Sequence, residues 1–164
     1  MTLMTSINNI AQQNLETRFK DNPCRGIVLG QNEFGETIQI CWIMGRSANS
    51  QNRVYEVHEP RLSHDHHGMV TTVAADPSKV KDPTNIMYRA MREKLSRNTR
   101  AFIVSNGNHT DTTADYFDGK YIIPQMFFES LMDRHCEDDD ATFTPRIIGL
   151  QALVDVEPLI TCRT

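Results

Sequence analysis

Cysteine is sparse and scattered in this 164-residue chain: Cys24, Cys41, Cys136 and Cys162 form no Cys-x-x-Cys pair. That spacing argues against a zinc ribbon, a thioredoxin-type redox centre and the dense disulfide framework of a small secreted domain. Excess positive charge is missing too. Seventeen Lys and Arg face 21 Asp and Glu, a formal net charge of −4, which argues against a chain built to neutralise nucleic-acid phosphates. No long apolar run exists: the longest, residues 38–44, is interrupted by Gln39 and falls far short of the ~20 residues that cross a bilayer. The N-terminal MTLMTSINNIAQQNLETRF lacks the basic-then-apolar pattern and cleavage site of a secretory signal, and no lipidation box ends the sequence. No repeat, low-complexity tract or linker composition divides the chain. These absences lead to the expectation of one domain in a reducing cytoplasm, with neither membrane nor nucleic acid among its partners.

What is present suffices for a core, since 39% of residues are hydrophobic and 23% charged. Ile7, Ile10, Ala11, Leu15 and Phe19 share a helical face over residues 6–19, with Ser6 as N-cap and Asn22-Pro23 as the stop. Residues 25–29 and 37–44 read as a hairpin whose turn chemistry comes from Asn32 and Gly35. Residues 53–57 and 69–74 are β-branched strands. Asp82-Pro83 opens a predicted helix that buries Ile86, Met87, Ala90, Met91 and Leu95. A strand over 101–105, helices over 110–117 and 124–134, and a strand over 146–154 complete an α+β pattern rather than alternating βαβ units. The helix over 124–134 turns Met126, Phe127, Ser130 and Leu131 inward. The only tryptophan, Trp42, sits in a strand and reads as core.

Three stretches carry side chains suited to chemistry. Gly45-Arg46-Ser47-Ala48-Asn49-Ser50-Gln51-Asn52-Arg53 packs two arginines, two serines and two asparagines into the loop after a strand. Guanidinium forks, hydroxyls and loop amides suit an anion, whereas the plain reading is a solvated turn. Ser105-Asn106-Gly107-Asn108-His109-Thr110-Asp111-Thr112 joins a strand to a helix. It either offers amides to an anion or makes a turn capped by Thr110 or Asp111. His64-Asp65-His66-His67 has metal-ligand types but no scaffold such as His-Glu-x-x-His, and nothing brings His109 or His135 to it, so a solvated loop is favoured. The run Glu137-Asp138-Asp139-Asp140 reads as a charge patch from which one carboxylate could serve as a base. Tyr88 lies off the main apolar stripe of its predicted helix, so that its hydroxyl could reach a pocket, whereas the plain reading is a tyrosine at the core margin.

In order and spacing, five blocks resemble the archaeal-type IMP cyclohydrolases and their bacterial relatives, over roughly residues 23–147. They are Arg25-Gly26-Ile27-Val28-Leu29-Gly30; Met44-Gly45-Arg46-Ser47 with Asn49-Ser50 and Asn52-Arg53; Asp82-Pro83 with Ile86 and Tyr88; Val104 through Thr112; and Glu137 with Thr144-Pro145-Arg146-Ile147. The resemblance implies a four-layer αββα sandwich similar to the N-terminal-nucleophile hydrolases, with residues 1–22 as a helical extension and 23–164 as the domain. It implies closure of the purine ring by dehydration of formamido-imidazole-carboxamide ribonucleotide to IMP, with no metal or organic cofactor. By motif position, Arg53, Tyr88 and Glu137 match the catalytic set. Arg53 is assigned to the developing oxyanion, Glu137 to proton transfer, and Tyr88 to orienting the formyl group or shuttling the proton. Arg25, Arg46, Ser47, Asn106 and Asp111 are the expected substrate-binding residues, the arginines on the phosphate.

Family members usually run further past the Thr-Pro-Arg-Ile block. Three outcomes stay open: an incomplete second sheet, one completed by a partner copy in a homo-oligomer, or a fragment. Two other functions compete. One is a purine-nucleotide-binding protein of the same fold without turnover, and the other a metal-dependent hydrolase built on His64, His66 and His109.

Overall fold

The computed structural model describes residues 9, 12–13, 16–17, 25–45, 47–59, 68–80, 83, 86–96, 99–117, 123–133 and 146–154. Two antiparallel strands, β1 (Arg25–Gln31) and β2 (Thr37–Ile43), form the predicted hairpin in the register Arg25 opposite Ile43 through Gln31 opposite Thr37. Its turn works as its residues require. Asn32 Oδ1 accepts the amides of Phe34 and Glu36, and Gly35 takes a φ of 79° that side chains disfavour.

The larger sheet is antiparallel throughout, in the order β3 (Arg53–His58), β4 (Met69–Ala74), β5 (Arg89–Ser96), β6 (Thr99–Ser105) and β7 (Ile148–Val154). A short helix α1 (Ala48–Gln51) joins the hairpin to β3, and α2 (His109–Tyr116) and α3 (Ile123–Asp133) follow β6. Helix α3 buries Met126 and Ser130 and half-buries Phe127 and Leu131, as its pattern predicts. Of the predicted N-terminal helix, residues 9, 12, 13, 16 and 17 are helical and the rest lies outside the described residues.

One element differs from expectation. Residues 89–96, RAMREKLS, are a strand and not part of a helix from Asp82 to Leu95. Their types favour a helix, but the segment lies between β4 and β6, whose facing edges would otherwise hold unpaired amides and carbonyls. The helix signal survives as a single turn, in which the amides of Ile86 and Met87 both donate to Pro83 O at 3.1 and 2.9 Å. Ile86 and Ala90 are buried as predicted, whereas Met87 and Leu95 are exposed.

The two faces of the large sheet have different partners. Ala101 packs with Phe117 and Met126 in the main apolar cluster, so Ala101, Ile103 and Leu150, which sits opposite Ile103, look toward α2 and α3. On the other face, Leu29 of the hairpin covers Gly149, and Gln39 and Gln151 donate across the gap to Phe102 O and Gly30 O, each at 2.9 Å. The result is an α+β sandwich: a helical layer, a five-stranded sheet and a two-stranded sheet. Any second helical layer lies outside the described residues. Trp42 is not in the core. It is half-buried on the hairpin face turned away from the large sheet, with its ring lying over Gly26. Among the described residues no helix is long and apolar enough to cross a membrane.

A bulge in β5 determines which side chains reach the gap between the sheets. Val70 stands opposite Met91 and Thr71 opposite Arg89, leaving Ala90 as an extra residue. Simple alternation from Arg92, which faces the helices, would put Tyr88 on the helical side. The extra residue inverts this. Arg89 joins Arg92 in binding Asp111 of α2, and Tyr88 turns toward the hairpin.

Candidate active site

The site lies between the sheets, at the end where β1, β3 and β5 begin. Arg53 is the first residue of β3, directly after α1. Its Nε–H donates to Ser50 O at 2.8 Å, which fixes the stem. Its Nη2 is buried and has no hydrogen-bond partner among the described residues. Helix α1 is built to start where it does: Ser47 Oγ accepts the amide of Ser50, and the Ser50 hydroxyl accepts the amide of Ser47.

Tyr88 is 8% exposed, and its hydroxyl is likewise buried without a partner among the described residues. Its backbone is held by Thr72: the Tyr88 amide donates to Thr72 Oγ1 at 2.9 Å, and the Thr72 amide donates to Tyr88 O at 2.8 Å. The Thr72 hydroxyl in turn donates to Ile86 O at 2.7 Å. Burial pushes the phenol of Tyr88 above its ordinary range. The positive charge of Arg53, and less strongly of Arg25 and Arg146, opposes that shift, and the Cys41 thiol adds to it. Burial wins, so Tyr88 is a neutral hydroxyl at neutral pH. Two orphaned buried polar groups cost about 1–3 kcal/mol each. A Tyr hydroxyl and an Arg nitrogen left so, within electrostatic reach of each other, are what a polar ligand would satisfy.

Two neighbours complete the wall. Tyr55 lies two residues along β3 from Arg53, on the same face, and its hydroxyl meets Cys41 Sγ of β2 at 3.2 Å. Burial, the hydrogen bond to Cys41 and the Tyr88 phenol all hold Tyr55 above the ordinary tyrosine range. Burial likewise raises the Cys41 thiol, against a smaller lowering by Tyr55.

The structure thus brings Arg25, Arg53 and Tyr88 together, from three strands distant in sequence. Ser47 is the exposed N-cap of α1, three residues before the Ser50 carbonyl that holds Arg53. Asn106 clasps the entrance of β7: its Oδ1 accepts the Ile147 amide at 2.8 Å and its own backbone amide donates to Ile147 O at 3.2 Å. Asp111 lies on the helical side of the sheet, where its oxygens receive Arg89 Nη1 at 2.8 Å and Arg92 Nη1 at 3.1 Å. Arg46 and Glu137 lie outside the described residues, as do His64, Asp65, His66, His67 and the rest of the acidic run. Among the described residues no three His, Cys, Asp or Glu side chains group to hold a metal.

Neither Thr110 nor Asp111 caps α2. The N-cap position is Asn108, which makes no side-chain cap bond, and Ser105 at the end of β6 accepts the amides of Gly107 and Thr110 at 3.2 Å each while its hydroxyl meets Thr110 Oγ1 at 2.7 Å. Cys41, Tyr55 and Arg146 were not singled out as site residues by the sequence. Strand alternation flags Tyr55, because it sits two residues from Arg53. Arg146 stands in the Thr-Pro-Arg-Ile block quoted above, and only the packing of the sheets could have revealed Cys41.

A family model described as IMP cyclohydrolase-like protein matches residues 23–157. No match is found among curated proteins.

Proposed function

The chain belongs to the IMP cyclohydrolase-like family, and on that premise we propose that it closes the purine ring of formamido-imidazole-carboxamide ribonucleotide to give IMP. The observation that supports this is the pair of orphaned buried groups, the Tyr88 hydroxyl and Arg53 Nη2, facing the gap between the sheets. Ring closure needs such a pair. The carboxamide nitrogen attacks the formyl carbon, a C–N bond forms, and the formyl oxygen gathers negative charge before it is protonated to a carbinol. The carbinol oxygen then leaves as water while the ring C=N bond forms. Arg53 offers a fixed cationic donor to the developing oxyanion. Tyr88, kept neutral by burial, orients the formyl oxygen as a hydrogen-bond donor rather than acting as the base. Glu137 takes the proton from the attacking nitrogen, a role that rests on its motif position. Because nucleophile and electrophile belong to one molecule, holding them in a near-attack pose contributes on the order of several kcal/mol.

Arg25, Arg46 and Ser47 bind the phosphate end of the nucleotide in this reading. Asn106 and Asp111 support the site through the scaffold, the first by clasping β7 and the second by anchoring α2 to β5. The test is IMP formation by the purified chain from the formylated ribonucleotide, measured against the spontaneous rate. Turnover that vanishes in Arg53→Ala is expected. IMP binding without turnover would replace the enzyme by a nucleotide-binding protein, and full activity of Glu137→Gln at every pH would remove Glu137 from the mechanism.

A further inference from the structure

We propose that Asn52 is a positioning residue for Arg53: its side-chain amide fixes where β3 begins, and with it the guanidinium that serves the oxyanion. The proposal rests on the ring-closure reading above. Asn52 stands between α1 and β3, where the chain leaves a helix and enters a sheet. The ladder sets Arg53 opposite Ala74, and the Ala75 amide adds one more bond, to Asn52 O at 3.2 Å. Before that point the backbone belongs to α1, and the Asn52 amide closes the helix on Asn49 O at 3.3 Å.

The Asn52 side chain carries the ladder one step further. Its Oδ1 accepts the Asp76 amide and its Nδ2–H donates to Asp76 O, each at 2.8 Å. A carboxamide offers the donor and acceptor of a peptide group, so it stands in for the peptide that a longer β3 would present there. Two bonds together fix the direction of the side chain as well as its distance. Their far end is fixed too, since the Asp76 carboxylate accepts the Ser78 amide at 3.1 Å and meets Lys79 Nζ at 2.8 Å. The arginine depends on this junction. Its backbone lies on β3 while its Nε–H is anchored to Ser50 O of α1 at 2.8 Å, and Asn52 sets the angle between those two supports. Arg53 Nη2 is buried, and a donor aimed at a developing oxyanion works only where it is already in place.

The test uses the purified chain as wild type, Asn52→Ala, Asn52→Asp, Arg53→Lys and the double variant Asn52→Ala with Arg53→Lys. Melting curves give a temperature at which each is folded. Asn52→Ala should lower kcat about tenfold or more and leave KM within about threefold, because Arg53 acts on charge that develops after binding. In the Arg53→Lys background the same change should cost less than about twofold, since lysine has no Nε–H for Ser50 to hold. Asn52→Asp keeps the acceptor and loses the donor. It replaces alanine in the comparison if alanine does not fold, and kcat should again fall with KM held. The Arg53 Nε–H signal in proton–nitrogen correlation spectra, assigned by its loss in Arg53→Lys, should exchange with solvent about tenfold faster in either Asn52 variant. Unchanged kcat in a folded Asn52 variant, or an equal loss in both backgrounds, overturns the positioning and leaves the proposed reaction standing. A wild type that forms no IMP overturns the reaction, and the Nε–H signal then decides alone. Exchange as slow in Asn52→Asp as in wild type overturns the positioning as well, and faster exchange retains Asn52 as the mount of a buried arginine.

Discussion

Replacing Thr72 by valine tests the positioning of Tyr88 without touching the site itself. The side chain is 1% exposed, and its hydroxyl joins the Tyr88 amide to the Ile86 carbonyl at 2.9 and 2.7 Å. Valine keeps the shape and removes the oxygen, leaving one buried N–H and one buried C=O without that partner. Each orphaned group costs about 1–3 kcal/mol, and the methyl that replaces the hydroxyl returns about 1 kcal/mol through apolar burial. The expected loss is therefore about 1–5 kcal/mol, which for a chain of this size lowers Tm by roughly 3–15 °C. Turnover should fall further than the folded fraction explains, because a displacement of about 1 Å at a catalytic group can cost on the order of a hundredfold. Urea and thermal unfolding of wild type, Thr72→Val and Thr72→Ser, with kcat measured where each is fully folded, provide the assay. Serine retains the hydroxyl and should lose only about 1 kcal/mol for its methyl group. A valine variant within about 0.5 kcal/mol of wild type, with unaltered kcat, would refute the claim that this hydroxyl holds Tyr88 in place.

Tyr88→Phe removes a buried hydroxyl that has no partner among the described residues. Stability should hold or rise by up to about 1 kcal/mol while turnover falls on the order of a hundredfold, and the opposite pattern would make the hydroxyl structural. Cys41 and Tyr55 both have folded pKa values raised above their ordinary 9.0 and 10.0. The unfolded chain therefore releases these protons first as pH climbs, so their contribution is intact below about pH 9 and declines above it. Urea midpoints from pH 7 to 10.5 should show that decline, and Cys41→Ser should remove its earlier part; a flat profile would contradict the burial of both groups. Gly26→Ala places a methyl inside the Trp42 ring position. It should displace the indole at a cost of about 1–3 kcal/mol, with a red shift in tryptophan emission; unchanged emission would show that the ring does not lie there.

Local chemistry made much of the sandwich readable. The hairpin was legible because Asn32 and Gly35 impose one turn, and β3, β4 and β6 because their β-branched runs suit pleated, half-buried surfaces. The segment 89–96 was misread since Arg, Ala, Met, Glu, Lys and Leu all favour helices, and the deciding factor was the pair of strand edges on either side. Those edges belong to residues far away in sequence, so no local window contains them. The site divides along the same line. Arg53 and Arg25 open strands, and motif order marked them, as it did Tyr88. That Asn106 clasps β7 and Asp111 meets two arginines of β5 depends on where those strands run. The pairing of Cys41 with Tyr55 depends on how one sheet lies over the other, which side-chain type alone does not reveal.

The bulge at Ala90 makes the site depend on how the ladder is paired at that point. Ala90 has no exposed surface and contributes no functional group, so exchange for glycine or serine should be tolerated. Its deletion would leave Met91 and Arg89 opposite Val70 and Thr71 in plain alternation, with Arg89 still facing α2 and Tyr88 still facing the gap. A slip that drew Ala90 into the ladder would instead exchange the two neighbours: Arg89 would swing into the gap and Tyr88 under α2, stranding Asp111 with one arginine. Every side chain of the cleft would then be present in the sequence and the cleft itself lost.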